Sequence, residues 1–478
     1  MPHQHMDRMT SFDASFLSNE VGAAHMTIGA VLVCEGSPPD YEDFLTHIRS
    51  RLHLLPRLRQ RLAFPPLGLG RPFWVDDSDF DIDYHVRRTP VTAPGTDEQF
   101  RELIGEALSP PLDRRRPLWE LRLVEGLEGD RFAVVYKTHH AMADGISAVD
   151  IGTLLFDLEP VTEPVREEVP WQPNRPPSGA GLLGESVRGL GTTAMRLLRW
   201  LGGAARAPRG AAQRAGRGIA GVREVAANLF KPAPAAPFNV VVSEQREFRW
   251  AECDLDDCKL IKDTLGGTIN DVALAAGSGA LRRWLQDRGV DVSEMELQAL
   301  VPVSIRAEDE HTDLGNRLTA MRGPLPVHEQ DPVERLRIVA QAMAALKTSK
   351  QPYGAEAIWG LNDWFREFAP PLLLVPTARI NFSTRLFNLL LTNFPGPQVP
   401  FYVLGRELTS VHPIGFLANR HALAIAIFSY NGRISFGLLA DPSRVKGLDS
   451  LERYLKEAVA ELRDAAGAAE PASAVSGG

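Results

Sequence analysis

The sequence predicts an α/β protein, and three observations carry that expectation. Between Phe132 and Leu158 an apolar run, Phe132–Tyr136, leads through a loop into apolar residues at helical spacing, Ile146, Val149, Leu154, Leu155 and Leu158. Strand and helix patterns alternate from the N-terminus to about residue 160. They resume at Phe238 and include a hairpin signalled by Asn431-Gly432, a dipeptide suited to a two-residue turn.

In chain order, Met26–Gly36 reads as a strand, Tyr41–Leu62 as a helix with its exit, and Asp97–Ser109 as a second helix. The strand and helix around residue 140 follow. Beyond Pro160 the composition turns rich in Pro, Ala, Gly and Arg up to Pro237. Strand patterns then run from Phe238 to Asp254, followed by a helix over Asn270–Gly289, a strand over Glu296–Arg306 and the hairpin over Ala422–Asp441. These shifts divide the chain into residues 1–162, a linker at 163–237, a second half at 238–465 and a disordered tail at 466–478.

Composition excludes several classes. Hydrophobic content of 44% and charged content of 23% are those of a globular protein with sizeable cores. A net charge of −8 argues against a nucleic-acid partner, which would want a basic face. Three cysteines, Cys34, Cys253 and Cys258, show no metal-ligand spacing and fit a reducing, cytoplasmic setting. The N-terminus has no apolar signal core, and the densest apolar window, Ala369–Phe382, is broken by three prolines and an arginine, so no spanning helix is expected.

The linker is distinctive. From Arg175 to Lys231 it holds ten basic and two acidic residues, a local excess of +8 that leaves −16 on the rest of the chain. Leu183, Val187, Leu190, Ala194, Leu197 and Leu201 fall within roughly 80° of arc at about 100° per residue. Arg188, Arg196, Arg199 and Arg206 lie on the other side. That is a basic amphipathic helix, suited either to a membrane surface or to packing on the protein's own body; Gly184, Gly189 and Gly191 weaken it as a free helix.

The loop after Tyr136 carries His139, His140, Asp144 and Gly145. A loop between rigid elements is a good place for chemistry, and imidazole titrates near neutrality. Adjacent histidines converge poorly on one metal ion, and no His-Glu-x-x-His or Cys/His cluster accompanies them, so no metal is expected. The bland alternative is one histidine paired with a buried group. Leu67–Gly70, before Arg71–Val75, lacks the strand and helix that a phosphate-binding loop needs.

The pattern His-His-three residues-Asp-Gly resembles the hallmark of the CoA-dependent acyltransferase superfamily. Further blocks resemble one branch of it, the wax ester synthase/diacylglycerol acyltransferases. These are Asp13–Glu20 followed by His25, then Pro117-Leu118-Trp119, Asn270-Asp271, Val301–Arg306, Leu314–Asn316 and Asn393–Pro397. The resemblance covers about Asp13 to Asp441. Phe394 departs from it, standing where the family usually has valine.

The resemblance implies two halves like chloramphenicol acetyltransferase, each with a mixed sheet, and an active-site tunnel between them. It implies an acyl-CoA-dependent O-acyltransferase making triacylglycerol from diacylglycerol, or wax ester from fatty alcohol. His140 would be the general base with His139 supporting it. No bound cofactor would be needed, acyl-CoA being a co-substrate. Asp144 would pair with Arg59 to shape the loop, and Gly145 would allow a tight approach. Asn270 and Asp271 would face the substrate, with a helix cap as the alternative. Pro117, Leu118 and Trp119 would wall the acyl channel or serve as core. The enzyme would sit in the cytoplasm, peripherally on the inner membrane or on lipid droplets. A carrier-protein-dependent acyltransferase and a non-catalytic lipid-surface protein are the competing functions.

Overall fold

A computed structural model describes residues 6–68, 70–142, 152, 154–164, 169–188, 232–304, 318–348 and 383–469. Two six-stranded mixed sheets form its centre. The first runs in the order Tyr402–Val403, Arg406–Ile414, Thr27–Glu35, Arg131–His139, Trp119–Leu127 and Val86–Pro90. The second runs Leu318–Leu325, Leu297–Ser304, Leu389–Pro395, Leu423–Tyr430, Arg433–Ala440 and Glu247–Asp254. Each combines antiparallel pairs with parallel ones, so the α/β class with mixed sheets is as expected. A small third sheet joins Met6–Arg8, Phe73–Asp76 and Gln60–Ala63.

The helices form where caps and spacing dictate. In Tyr41–Arg51 the Asp40 carboxylate accepts from the Glu42 and Asp43 N–H groups, and Phe44, Leu45 and Ile48 turn inward. Asp97–Leu108 starts with a Thr96/Gln99 capping box and buries Phe100, Ile104 and Leu108, each one turn from the last. Ile269–Gln286 is buried on almost every side, its Ala, Gly and Ser residues letting Pro332–Thr348 and Leu448–Ala469 pack closely against it.

Four expectations are corrected. Phe238–Arg246 is not strand: the Ser243 N–H and hydroxyl donate to Asp441 at 2.5 and 2.9 Å, and these bonds bend the backbone out of the ladder until Glu247. The histidine strand extends past Tyr136 to His139, because Lys137–His139 still pair with Thr27–Gly29. The helix after the histidine loop ends before Leu158, which is exposed; Asp157 instead bridges to Tyr402, and His47 and Arg51 take the Leu155 and Phe156 carbonyls. The last helix runs to Ala469, past the expected tail boundary at 466, through an alanine-rich stretch of high helix propensity.

The chain crosses between the sheets. Arg406–Ile414, late in the sequence, pairs antiparallel with Thr27–Glu35 and covers an edge that would otherwise be open. It packs against Arg433–Ala440 of the second sheet, where a Cβ on Gly437 would stand 1.7 Å from the Pro413 carbonyl oxygen. Gly437→Ala is therefore expected to force the sheets apart and to cost about 1–3 kcal/mol, read as a lowered denaturation midpoint.

Candidate active site

His139 and His140 part company at the end of their strand. His139 is buried: its ring Nε2–H donates to Glu20 Oε1 at 2.9 Å, while its Nδ1 accepts the Ala141 N–H at 3.0 Å. The accepting Nδ1 fixes the tautomer, since the proton must then sit on Nε2. Glu20 also accepts the Met26 N–H at 2.6 Å, and Arg114 bonds its other oxygen. Burial alone would raise the Glu20 carboxyl, but the bonds from His139, Arg114 and Met26 outweigh it and bring the group down to about 2.

Met26 closes the circuit, because its carbonyl accepts the His140 N–H at 2.8 Å. One carboxylate thus holds the loop before the first sheet, the His139 ring and, through Met26, the backbone of His140. Glu20 lies in the Asp13–Glu20 block that drew notice as a motif, but no role for it was read from sequence. Its place as the acidic residue that closes that block was the available signal.

The His140 ring sits between two phenylalanines. Phe16, from helix Ser11–Asn19, stacks on it with centroids 3.9 Å apart and planes 17° apart. Phe416, just beyond strand Arg406–Ile414, meets it edge-on at 5.5 Å and 87°. A Cβ on the neighbouring Gly415 would meet Ala424, Ala426 and Leu390 of the second sheet at 3.6–3.8 Å, so Phe416 follows directly on a residue lying against that sheet. Nδ1 of His140 is buried with no hydrogen-bond partner among the described residues. Burial in this apolar slot pushes the imidazole down to about 4. It is therefore neutral at ordinary pH and keeps a lone pair for a proton.

A second buried histidine, His25, borders the same loop. Its Nδ1 and Nε2 lie 2.9 Å from Thr27 Oγ1 and 3.2 Å from the Ser109 carbonyl. Burial, with Arg246 and Lys137 nearby, pushes it down to about 4. Arg246 donates to the Ala23 carbonyl at 2.6 Å, tying the strand entering the second sheet to the Glu20–Met26 loop.

The Pro-Leu-Trp block lies under the histidines and is buried throughout. The Leu118 carbonyl accepts the His139 N–H at 3.0 Å and the Thr138 hydroxyl at 3.1 Å. The Trp119 indole donates to the Leu58 carbonyl at 2.7 Å and stacks on His85. Of the two expected roles these contacts fit core, with Leu118 positioning the histidine strand.

Asn270 and Asp271 separate in the same way. Asp271 closes a capping box with Thr268, its Oδ2 accepting from the Thr268 N–H and hydroxyl at 2.9 and 2.8 Å. Thr268, not Asn270, is the helix cap. Asn270 instead accepts from Asn393 Nδ2 at 3.2 Å, so two blocks far apart in sequence meet at the N-terminal end of helix Ile269–Gln286. Arg59 is buried in a short 3-10 turn, its guanidinium 5.1 Å over the Trp171 ring. Asp144 and Gly145 lie outside the described residues.

Comparison with known proteins identifies this assembly. The wax ester synthase/diacylglycerol acyltransferase catalytic domain matches residues 9–273, and the C-terminal domain of the same enzymes matches 314–463. The chain belongs to the wax ester synthase/diacylglycerol acyltransferase family. A probable diacylglycerol O-acyltransferase of Mycobacterium tuberculosis, tgs1, is 33% identical over 462 residues, 96% of each chain. A second from that organism, tgs2, is 31% identical over 476 residues, 97% of this chain and all of the relative. The wax ester synthase/diacylglycerol acyltransferase of Marinobacter aquaeolei superposes with a TM-score of 0.65 at 25% identity, covering 96% of this chain and 100% of that one. The starter condensation domain of rhizomide synthetase, in complex with C8-CoA, shares the fold at a TM-score of 0.56 and 14% identity, covering 97% and 95%. Membership makes the chain an O-acyltransferase of neutral-lipid synthesis.

The Glu20 clamp has a measurable signature. Glu20→Gln removes the charge that orients His139, and it is expected to lower both the melting temperature and the turnover at pH 7. A carboxylate depressed by its partners stabilises the fold above its unfolded value of 4.5 and loses that contribution as pH falls towards about 2. The stability gap between wild type and variant should therefore narrow through that window in parallel denaturation curves.

Proposed function

We propose that the chain transfers a long-chain acyl group from acyl-CoA to the hydroxyl of diacylglycerol or a fatty alcohol, with His140 as general base. The observation that carries this reading is the His140 imidazole lodged between Phe16 and Phe416 at the end of the histidine strand, with its Nδ1 unpartnered among the described residues. As the acceptor oxygen attacks the thioester carbonyl, His140 takes the hydroxyl proton. When the carbon–sulfur bond breaks, the imidazolium returns that proton to the departing thiolate. No acyl-enzyme is needed. In this reading, Phe16 and Phe416 beside the imidazole would reduce access of water and so limit competing hydrolysis.

His139 acts as a positioning residue through Glu20, and Leu118 and Trp119 support the strand from below. Asn270, its carbonyl oxygen already occupied by Asn393, is a candidate donor towards the substrate. Arg59 is assigned as the partner of Asp144 in shaping the loop. The 163–237 segment is assigned as a linker between the two halves, 1–162 and 238–465. Its basic helix would bring the enzyme to an anionic membrane or droplet surface, where a water-insoluble acceptor resides. No helix among the described residues is long and apolar enough to cross a membrane, which suits peripheral attachment.

Release of free thiol from long-chain acyl-CoA tests the activity. Release should require diacylglycerol or fatty alcohol, and His140→Ala should slow it by about 10²–10⁴-fold in folded protein. Near-native turnover in that variant would remove His140 from the base role. Release independent of any acceptor would point to hydrolysis instead.

A further inference from the structure

Residues Ala63–Gly70, Ala-Phe-Pro-Pro-Leu-Gly-Leu-Gly, form an uncharged apolar run between Arg61 and Arg71. Strand Gln60–Ala63 ends there, and the chain runs outward from the small sheet. Leu67 is 85% exposed and adopts a left-handed backbone at φ 60°. That conformation is costly for leucine and natural for asparagine or glycine. Phe64 is 50% exposed. A single exposed apolar side chain needs no explanation, but a cluster on strained backbone does.

The cluster lies beside helical residues 179–188; the rest of the expected basic helix, from 189 on, lies outside the described residues. A Cβ on Gly179 would meet Pro66 at 3.2 Å, and one on Gly70 would meet the Ser186 hydroxyl at 3.1 Å, so this loop follows the helix along two turns. Leu182 packs on Phe73 and Val75 of the small sheet, which fixes the inward side of the helix. Val187, one of the apolar stripe, is 63% exposed instead. Arg175 and Arg188 are exposed at either end of the segment.

We propose that the Phe64–Gly68 turn and the outward side of helix 179–188 form one docking face, which inserts into the headgroup layer of an anionic phospholipid membrane with Leu67 leading. This rests on the peripheral-attachment reading above and gives it a place on the molecule. Two features favour a lipid phase as the occupant. Pro65 and Pro66 have no N–H, and the Gly68 N–H is satisfied by the Pro65 carbonyl at 3.2 Å, so insertion strands few polar backbone groups. The helix lies in the Arg175–Lys231 stretch, whose sequence charge of +8 in a chain otherwise at −16 complements an acidic headgroup layer; within 179–188 itself Arg188 is paired with Glu185.

The test compares the full chain with the double variant Phe64→Ser, Leu67→Asn, by co-sedimentation with phosphatidylcholine/phosphatidylglycerol vesicles. Asparagine tolerates the left-handed backbone, so the variant should melt no lower than wild type and keep its rate on a short soluble alcohol. Vesicle partitioning should fall by about tenfold, equivalent to roughly 1.4 kcal/mol of apolar insertion. Equal partitioning of wild type and variant would overturn this face while leaving attachment by the helix intact. Absence of wild-type binding would overturn attachment altogether. Altered oligomeric mass in light scattering with unchanged vesicle binding would assign the face to a second copy of the chain and reject the lipid.

Discussion

The path of the backbone into His140 depends on a largely buried negative charge, Glu20. Isolating a carboxylate from water is costly unless donors surround it, and Glu20 has them in His139, Arg114 and the Met26 N–H. Those donors are the same groups that set the path of the histidine loop. His139 is the residue before the base, and Met26 holds the base by its backbone. The ion that must be satisfied therefore determines where the histidine loop leaves its strand. Of the two adjacent histidines, the first has both ring nitrogens engaged in structure, while Nδ1 of the second has no hydrogen-bond partner among the described residues.

The other half of the environment is supplied from far along the sequence. Strand Arg406–Ile414 joins the first sheet, and the residues just beyond it place Phe416 against the His140 ring. Gly437 permits the close approach of the sheets on which that contact depends. With Phe16 on its other face, the imidazole is largely desolvated and its tendency to hold a proton falls. In the proposed mechanism, a base that starts neutral needs no prior deprotonation.

Much of this was legible in the sequence, for local reasons. Strand Thr27–Glu35, helix Asp97–Leu108 and the Asn431-Gly432 hairpin obey periodicity and turn chemistry, and both turn residues take positive φ as that hairpin requires. The histidine motif was visible because its residues are contiguous. What escaped depends on distant partners. Glu20 against His139, Asn393 against Asn270 and Phe416 against His140 join residues separated by more than a hundred positions. The segment Phe238–Arg246 misled for the converse reason: its β-branched run Val240–Val242 is real, but Asp441 captures Ser243.

The claim that binds these parts is that His140 is held neutral by its surroundings. The direct measurement is kcat/KM for acyl transfer against pH, taken from pH 8 down to 5 with folding monitored at each point. With the imidazole near 4, the profile should stay almost level across this range, the active neutral form persisting until pH falls towards that value. An ordinary histidine near 6.5 would instead lose about thirtyfold of its neutral form by pH 5. A decline of that size centred near 6.5 in folded enzyme would contradict the account.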